Sequence, residues 1–311
     1  MEKNSKIFVA GHRGLVGSAI VRALKNSDYN NLVLKTHEEL DLTNQNAVLS
    51  FFKAERPEYV FLAAAKVGGI IVNSTYPADF IRDNLQIQTN VIESAHTAGV
   101  KKLLFMGTSC IYPKLAPQPI KEEYLMTGPL EETNRAYATA KIAGIEMCQS
   151  YARQYGSRFI SVMPTNLYGP NDNFHPEHAH VLPALLRRFH DAKVSGTKTV
   201  HVWGTGTPLR EFLHVDDLGA ACVFLMENYE DPGIINIGTG EEVSIKELAD
   251  LIQKAVGYTG MIGWDATKPD GTPRKLLDTS KIHALGWRHT IGLREGLERT
   301  YQWLVENYKN I

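Results

Sequence analysis

The stretch Lys6–Gly17, KIFVAGHRGLVG, decides the fold. Lys6–Ala10 is a short, largely apolar run of the kind that forms a buried strand, and Leu15–Lys25 has the spacing of an amphipathic helix. Between them lie Gly11, Gly14 and Gly17. A strand that turns through glycines into a helix leaves backbone N–H groups and the positive end of the helix dipole free to hold a pyrophosphate. The spacing is G-x-x-G-x-x-G, which alone is a weak signal. Its place at the first strand of a βαβ series makes it a specific one.

That series continues outward. Leu32–Lys35, Tyr59–Ala63, Lys102–Met106 and Phe159–Met163 read as strands. Thr43 is positioned to cap a helix running to about Glu55, and Asp79–Ala98 and Glu131–Tyr155 read as long helices. Strands alternating with helices imply an α/β fold with a Rossmann-type, doubly wound parallel sheet. After Pro164 the texture changes. Tyr168–Pro176 is a Pro/Asn/Gly/Asp-rich loop, a helix is expected at about Ala179–Ala192, and sheet segments near Glu211–His214 and Ile234–Ile237. Gly204–Pro208 and Lys268–Arg274 read as loops, and Leu293–Asn307 as an amphipathic last helix. The expected organisation is a nucleotide-binding domain of residues 1–166 to which 212–240 return, and a smaller α/β substrate-binding domain of 167–211 and 241–311.

Composition narrows the partners. The 311 residues include 33 basic and 34 acidic ones, a net charge of −1, which gives no global reason to expect nucleic acid or a membrane surface. Three cysteines suit a reducing compartment better than a disulfide framework. The N-terminus has no apolar signal region, and no run approaches the roughly 18 apolar residues of a membrane span. A cytoplasmic location is expected.

Cofactor choice is read at the second strand. An acid there would bind the ribose 2′-hydroxyl of NAD. Here the strand ends Leu34-Lys35-Thr36-His37, and Arg13 lies in the glycine loop. Cations at these places favour a 2′-phosphate and so NADPH. Lys35 and His37 read equally as exposed polar residues, and Glu38 and Glu39 as the start of a solvent-facing turn. The catalytic pair is Tyr137 and Lys141, one helical turn apart on one face. The ammonium is expected to lower the tyrosine pKa, so that the phenol exchanges a proton near neutrality. Thr108, at the exit of the Lys102–Met106 strand, can hydrogen-bond the same substrate oxygen.

These motifs resemble the extended short-chain dehydrogenases, and within them the GDP-L-fucose synthase family. The resemblance covers essentially the whole chain. It rests on Gly11–Gly17, FLAAAKVGGII at 61–71, GTSCIYPK at 107–114, Tyr137–Lys141, MPTNLYGPNDNFH at 163–175, REFLHVDD at 210–217 and KPDGTPRKLL at 268–277. It implies an NADPH-dependent 3,5-epimerase and 4-reductase that converts GDP-4-keto-6-deoxy-D-mannose to GDP-L-fucose, acting as a homodimer. Thr108, Tyr137 and Lys141 are implied as the reductase triad, and Cys110 and His180 as the groups that exchange protons with carbon. The chemistry suits them. C3 and C5 flank the ketone, so their protons are acidic, and a thiol and an imidazole ionise close enough to neutrality to move them. Thr108 and Tyr137 would then stabilise the enolate oxygen.

By position, the resemblance also assigns cofactor contacts to Gly11, His12, Arg13, Gly14, Leu15, Val16 and Gly17, and to His37, Asp41 and Leu42. Further contacts fall on Ala63, Ala64, Met106, Gly107, Thr108, Ser109, Lys141, Pro164, Thr165, Asn166, Leu167 and His180. Substrate contacts fall on Arg188, Trp203, Arg210 and Asp270, with Lys281 left open. Read alone, Arg188 is as much a solvated helix residue as an anion ligand. His175, His178 and His180 are close in sequence, but nothing near them supplies the rest of a metal site, and none is expected. A 4,6-dehydratase would carry an acidic pair where Ser109 and Cys110 stand, and a 4-epimerase an acid after the second strand. A non-catalytic NADP sensor on the same fold need not keep Thr108, Tyr137 and Lys141 together.

Overall fold

The structure is a computed structural model that describes residues 1–175, 179–268 and 270–310. In chain order its elements are β1 (Ile7–Ala10), α1 (Leu15–Asn26), β2 (Leu32–Val33), α2 (Gln45–Glu55), β3 (Tyr59–Leu62), α3 (Ile70–Thr75), α4 (Pro77–Thr97) and β4 (Lys102–Met106). There follow α5 (Arg135–Tyr155), β5 (Phe159–Pro164), β6 (Asn166–Tyr168), α6 (Val181–Ser195), β7 (Thr199–Trp203), β8 (Leu209–Arg210), β9 (Phe212–His214) and α7 (Val215–Asn228). The chain ends with β10 (Ile234–Ile237), β11 (Val243–Ser244), α8 (Ile245–Val256), β12 (Met261–Asp265), β13 (Arg274–Lys275), α9 (Ser280–Ala284) and α10 (Leu293–Asn307).

Six strands form one parallel sheet in the order β10-β5-β4-β3-β1-β2. The apolar runs are buried on both faces, as a sheet covered by helices on each side requires. Alternation divides their side chains. Phe8, Val60, Leu62, Leu103 and Phe105 pack with Phe52, Val91 and Ile145 of α2, α4 and α5. Ile7, Val9, Phe61, Leu104 and Ile160 pack with Ile20 and Leu24 of α1 and with Leu218 and Leu225 of α7. A third core joins α6, α8 and α10 to β7 through Leu182, Phe189, Val202, Leu248, Ile252 and Leu297. The strand order reverses between β1 and β3. Ligands of such sheets bind beyond the carboxyl ends of the strands at that point.

Several expectations shift. Asn44, not Thr43, caps α2, its side chain accepting the Ala47 N–H at 3.1 Å, while Thr43 is held in a turn by the Asp41 carboxylate. β2 stops at Val33, so Lys35 lies beyond the strand. The helix expected from Glu131 starts at Arg135, after a 3₁₀ turn at Glu132–Asn134. Tyr168, read as loop, ends β6, which pairs with β9. The helix α7 had no counterpart in the sequence reading. It is buried on most sides, from Val215 through Met226, and so lacks a polar stripe.

Candidate active site

The glycine loop lies where β1 meets α1. Gly11 has φ +84°, and a Cβ there would come within 2.8 Å of the Ala64 backbone. A Cβ on Gly17 would collide with the Gly11 carbonyl at 2.0 Å. Gly11 draws the loop onto the chain just after β3, beside Ala63 and Ala64, and Gly17 lets α1 close over the loop itself. At Gly14 the nearest obstacle to a Cβ is 3.6 Å away, so this side of the loop is open. Gly14 starts α1 without a side-chain cap, and the first turn carries no acid. The Gly14 N–H turns in to the Gly11 carbonyl at 3.1 Å, which leaves the N–H groups of the first turn of α1 for an anion. The His12 Nδ1 is buried without a partner at the same place. The loop therefore fits a dinucleotide pyrophosphate.

Beyond β2, the Glu39 carboxylate turns back to accept the Thr36 N–H at 2.8 Å. That bond, with Lys35 and Arg13 nearby, holds its pKa below the usual value. An acid so engaged is not presented to a ribose hydroxyl. His37 is 3.8 Å from Asp41, whose carboxylate binds Thr43, and the Leu42 carbonyl accepts from the buried Asn90. Arg13 and Lys35 thus lie by the Glu39 carboxylate just beyond β2, and His37, close to Lys35 in sequence, faces Asp41 at the surface.

At the end of β4, the Thr108 side chain accepts the Cys110 N–H at 3.3 Å and starts a 3₁₀ turn of Ser109–Ile111. Gly107 N–H bonds to the Val162 carbonyl, which closes β4 onto β5. Lys141 of α5 is buried and donates to the Met106 carbonyl at 2.8 Å. Burial pushes its pKa down to about 7. Tyr137, one turn earlier, is half-buried with its ring edge-on to Phe80. The sequence led us to expect a lowered phenol pKa; in the ligand-free fold it is raised instead, by burial first and by Cys110 second. Desolvation outweighs the lysine, whose own charge is weakened by the same burial and spent on a carbonyl.

The Cys110 sulfur accepts from Lys275 Nζ at 3.4 Å. Lys275 was not singled out in the sequence, because it acts only through the pairing of β13 with β8. His180 starts α6, and although the residue keeps much of its surface open, its imidazole pKa is lowered by the surrounding protein first and by Lys275 second. Cys110, Tyr137, Lys275 and His180 therefore meet at one place. Asn166 donates to the Glu211 carbonyl at 2.8 Å, and Thr165 N–H bonds to Ile237, which fixes the Pro164–Leu167 segment.

The buried Glu211 is a joint that the sequence reading missed. Its carboxylate accepts the backbone N–H groups of Thr239, Gly240 and Leu277 at 2.7, 2.8 and 3.0 Å. It ties the end of β10 to the segment after β13. Nearby, Arg210 lies opposite Lys275 on the paired strands. Arg188 donates to the His201 carbonyl at 2.8 Å and lies over the Trp203 ring, which is half exposed. Both arginine pKa values are lowered by burial. Arg188 and Trp203 line a cavity of about 360 Å³ between α6 and β7. The two Asp270 oxygens bind the Thr205 N–H and hydroxyl, so this residue braces the 204–207 turn. Lys281 bonds to Asp231 and the Ile234 carbonyl, at the opposite end of β10 from the site. His178 lies outside the described residues. Among those described, no group of three or more His, Cys, Asp or Glu side chains is placed to hold a metal.

The model of the NAD-dependent epimerase/dehydratase family matches residues 7–238. The chain belongs to that family. It is 66% identical over 309 residues to GDP-L-fucose synthase 1 of Arabidopsis thaliana, covering 99% of this chain and 96% of that protein. It is 57% identical over 311 residues to GDP-L-fucose synthase of Escherichia coli K12, covering 97% of each. Among solved structures, a GDP-mannoheptose C4 reductase from Campylobacter jejuni with NADP bound matches at a TM-score of 0.91 and 45% identity, covering 98% of this chain and 99% of that one. As a member of the NAD-dependent epimerase/dehydratase family, the chain keeps the Tyr137/Lys141 pair beside a cysteine and a lysine rather than an acidic pair.

Proposed function

We propose that this protein is an NADPH-dependent 3,5-epimerase and 4-reductase that converts GDP-4-keto-6-deoxy-D-mannose to GDP-L-fucose. One observation carries the reading: β4 delivers Thr108 and Cys110 together beside Tyr137. Two hydroxyls for the C4 oxygen then adjoin a thiol for the flanking carbons. The relatives named GDP-L-fucose synthase support the substrate, and the NADP-bound neighbour supports the cofactor.

In this reading residues 1–166, with 212–240, hold the cofactor. The loop N–H groups of Gly11–Gly17 bind its pyrophosphate, Arg13 with Lys35 or His37 binds its 2′-phosphate, and Lys141 holds its ribose. Arg188 and Arg210 bind the sugar diphosphate, and Trp203 lines the base pocket. Cys110 removes the C3 and C5 protons and His180 returns protons on the opposite face. Thr108 and Tyr137 hydrogen-bond the enolate oxygen, and Tyr137 protonates it at the end. Bound NADPH supplies the hydride for C4.

A homodimer through α4 and α5 fits this reading, since their outer surface carries the stacked His96 and Tyr155 rings. A cytoplasmic location fits the three free cysteines. No helix of the described residues is long and apolar enough to cross a membrane.

The test is incubation with NADPH and GDP-4-keto-6-deoxy-D-mannose in D₂O, with NMR identification of the product. GDP-L-fucose carrying deuterium at C3 and C5 is expected. A C4-reduced product without inversion would leave a plain ketoreductase, and failure to oxidise NADPH would end the proposal.

A further inference from the structure

We propose that Lys275 is a positioning residue for the carbon acid–base chemistry, its ammonium holding the Cys110 sulfur as a thiolate aimed at the sugar; this rests on the reading of Cys110 as the base. The Lys275 Nζ lies 3.4 Å from Cys110 Sγ, and both side chains are half-buried. An ammonium at that distance favours negative charge on sulfur.

The groups facing this sulfur come from four elements. Thr108, at the end of β4, binds the Cys110 N–H. Tyr137 comes from α5, His180 from the start of α6, and Lys275 from β13. Of these groups, Lys275 alone brings a fixed positive charge against the sulfur. It also acts on His180, where it disfavours the cation. One charge thus favours the anion at the group that must take a proton. It also makes the opposing imidazolium readier to give one up. The two roles are set apart without an acid–base pair of carboxylates.

The step balances. The thiolate takes the proton from C3 or C5, forming S–H as C–H breaks. The electron pair moves into the enolate, whose oxygen meets the Thr108 and Tyr137 hydroxyls. The His180 imidazolium then protonates the opposite face and becomes neutral. Solvent restores both groups, and Lys275 keeps its charge throughout.

Lys275 is held as a positioning residue must be. Its strand pairs in register with β8, with Arg210 opposite. Leu276 N–H binds the Gln118 side chain at 2.8 Å, and Ile120 N–H binds the Leu276 carbonyl at 2.7 Å. Leu277 N–H binds Glu211. Three anchors within two residues keep the ammonium beside a cysteine that is 165 positions away in sequence.

The experiment starts without substrate. The full-length protein is treated with iodoacetamide at neutral pH, and alkylation of the Cys110 peptide is followed by mass spectrometry, with the buried Cys148 and Cys222 as references. Lys275→Met should slow Cys110 alkylation about tenfold or more, and Lys275→Arg should restore part of the rate. Unchanged NADPH affinity shows that each variant is folded. With the 4-keto sugar, Lys275→Met should reduce deuterium uptake at C3 and C5 far more than hydride transfer to C4. It should add nothing in a Cys110→Ser background. Alkylation at the unmutated rate would overturn the proposal. So would a raised KM with equal loss of both steps, which marks a substrate-binding lysine. Because alkylation needs no sugar, its outcome stands whichever reaction the enzyme performs.

Discussion

The cofactor side and the substrate side of this molecule are built by different means. The cofactor side is local. Gly11–Gly17, the end of β2 and the Tyr137/Lys141 turn are each contiguous stretches, and the parallel sheet only has to bring their strand ends level. The substrate side is assembled from afar. Cys110, His180, Arg210 and Lys275 belong to four separate segments, and β8, β13 and the Glu211 carboxylate hold the last two in place. A local site survives small changes elsewhere. A distributed one depends on its joints.

The comparison can be broken first at the catalytic turn. Tyr137→Phe should leave NADPH binding intact and slow hydride transfer by roughly 10²–10⁴-fold, measured as NADPH oxidation in single turnover. A near-native rate would take the proton donor out of the cofactor side.

The second test uses pH. Burial depresses the Lys141 pKa to about 7 from an ordinary 10.5. Between those values the unfolded chain keeps a proton that the folded chain has lost, so stability from this group rises with pH across that window and is lowest below it. Lys141→Met removes the penalty. In the cofactor-free protein it should exceed the parent by a few kcal/mol at about pH 6, and the gap should close towards about pH 10. A gap that does not vary with pH would place the stability effect in packing alone.

The third test loosens the joint. Glu211→Gln turns an N–H donor towards backbone donors. It should cost about 1–3 kcal/mol in urea unfolding and raise the KM for the sugar more than the Kd for NADPH. Equal effects on both would show the two sides to be a single unit. The smallest effect is expected at Arg13→Ala, with NADPH binding about tenfold weaker and NADH unchanged in titration calorimetry. Equal losses for both cofactors would move 2′-phosphate recognition to Lys35 or His37.

Legibility in the sequence follows the same division. Short continuous apolar runs marked the sheet strands of the first half, because a strand covered on both faces writes its burial into consecutive residues. Helix α7 escaped notice because burial on most sides erased its polar face, and β7 because it pairs with β12, some sixty residues on. Tyr137 and Lys141 were legible from their spacing. Lys275 was in view within KPDGTPRKLL, yet nothing local separates it from Arg274, which instead pairs with Glu242. Its meaning comes from register on β8. The rise in the Tyr137 pKa was likewise illegible, since it depends on how much water the fold removes.

The Glu211 joint is made mostly of main-chain N–H groups, those of Thr239, Gly240 and Leu277, with the Thr239 hydroxyl added at 3.4 Å. Such a fastening asks little of the side chains in the segment that leads up to it. The residues from 266 to 273, ahead of Lys275, can therefore change in sequence while the clasp stays shut, and with them the shape presented to the sugar. For an engineer, that span is the place to graft a loop from a relative with a different sugar.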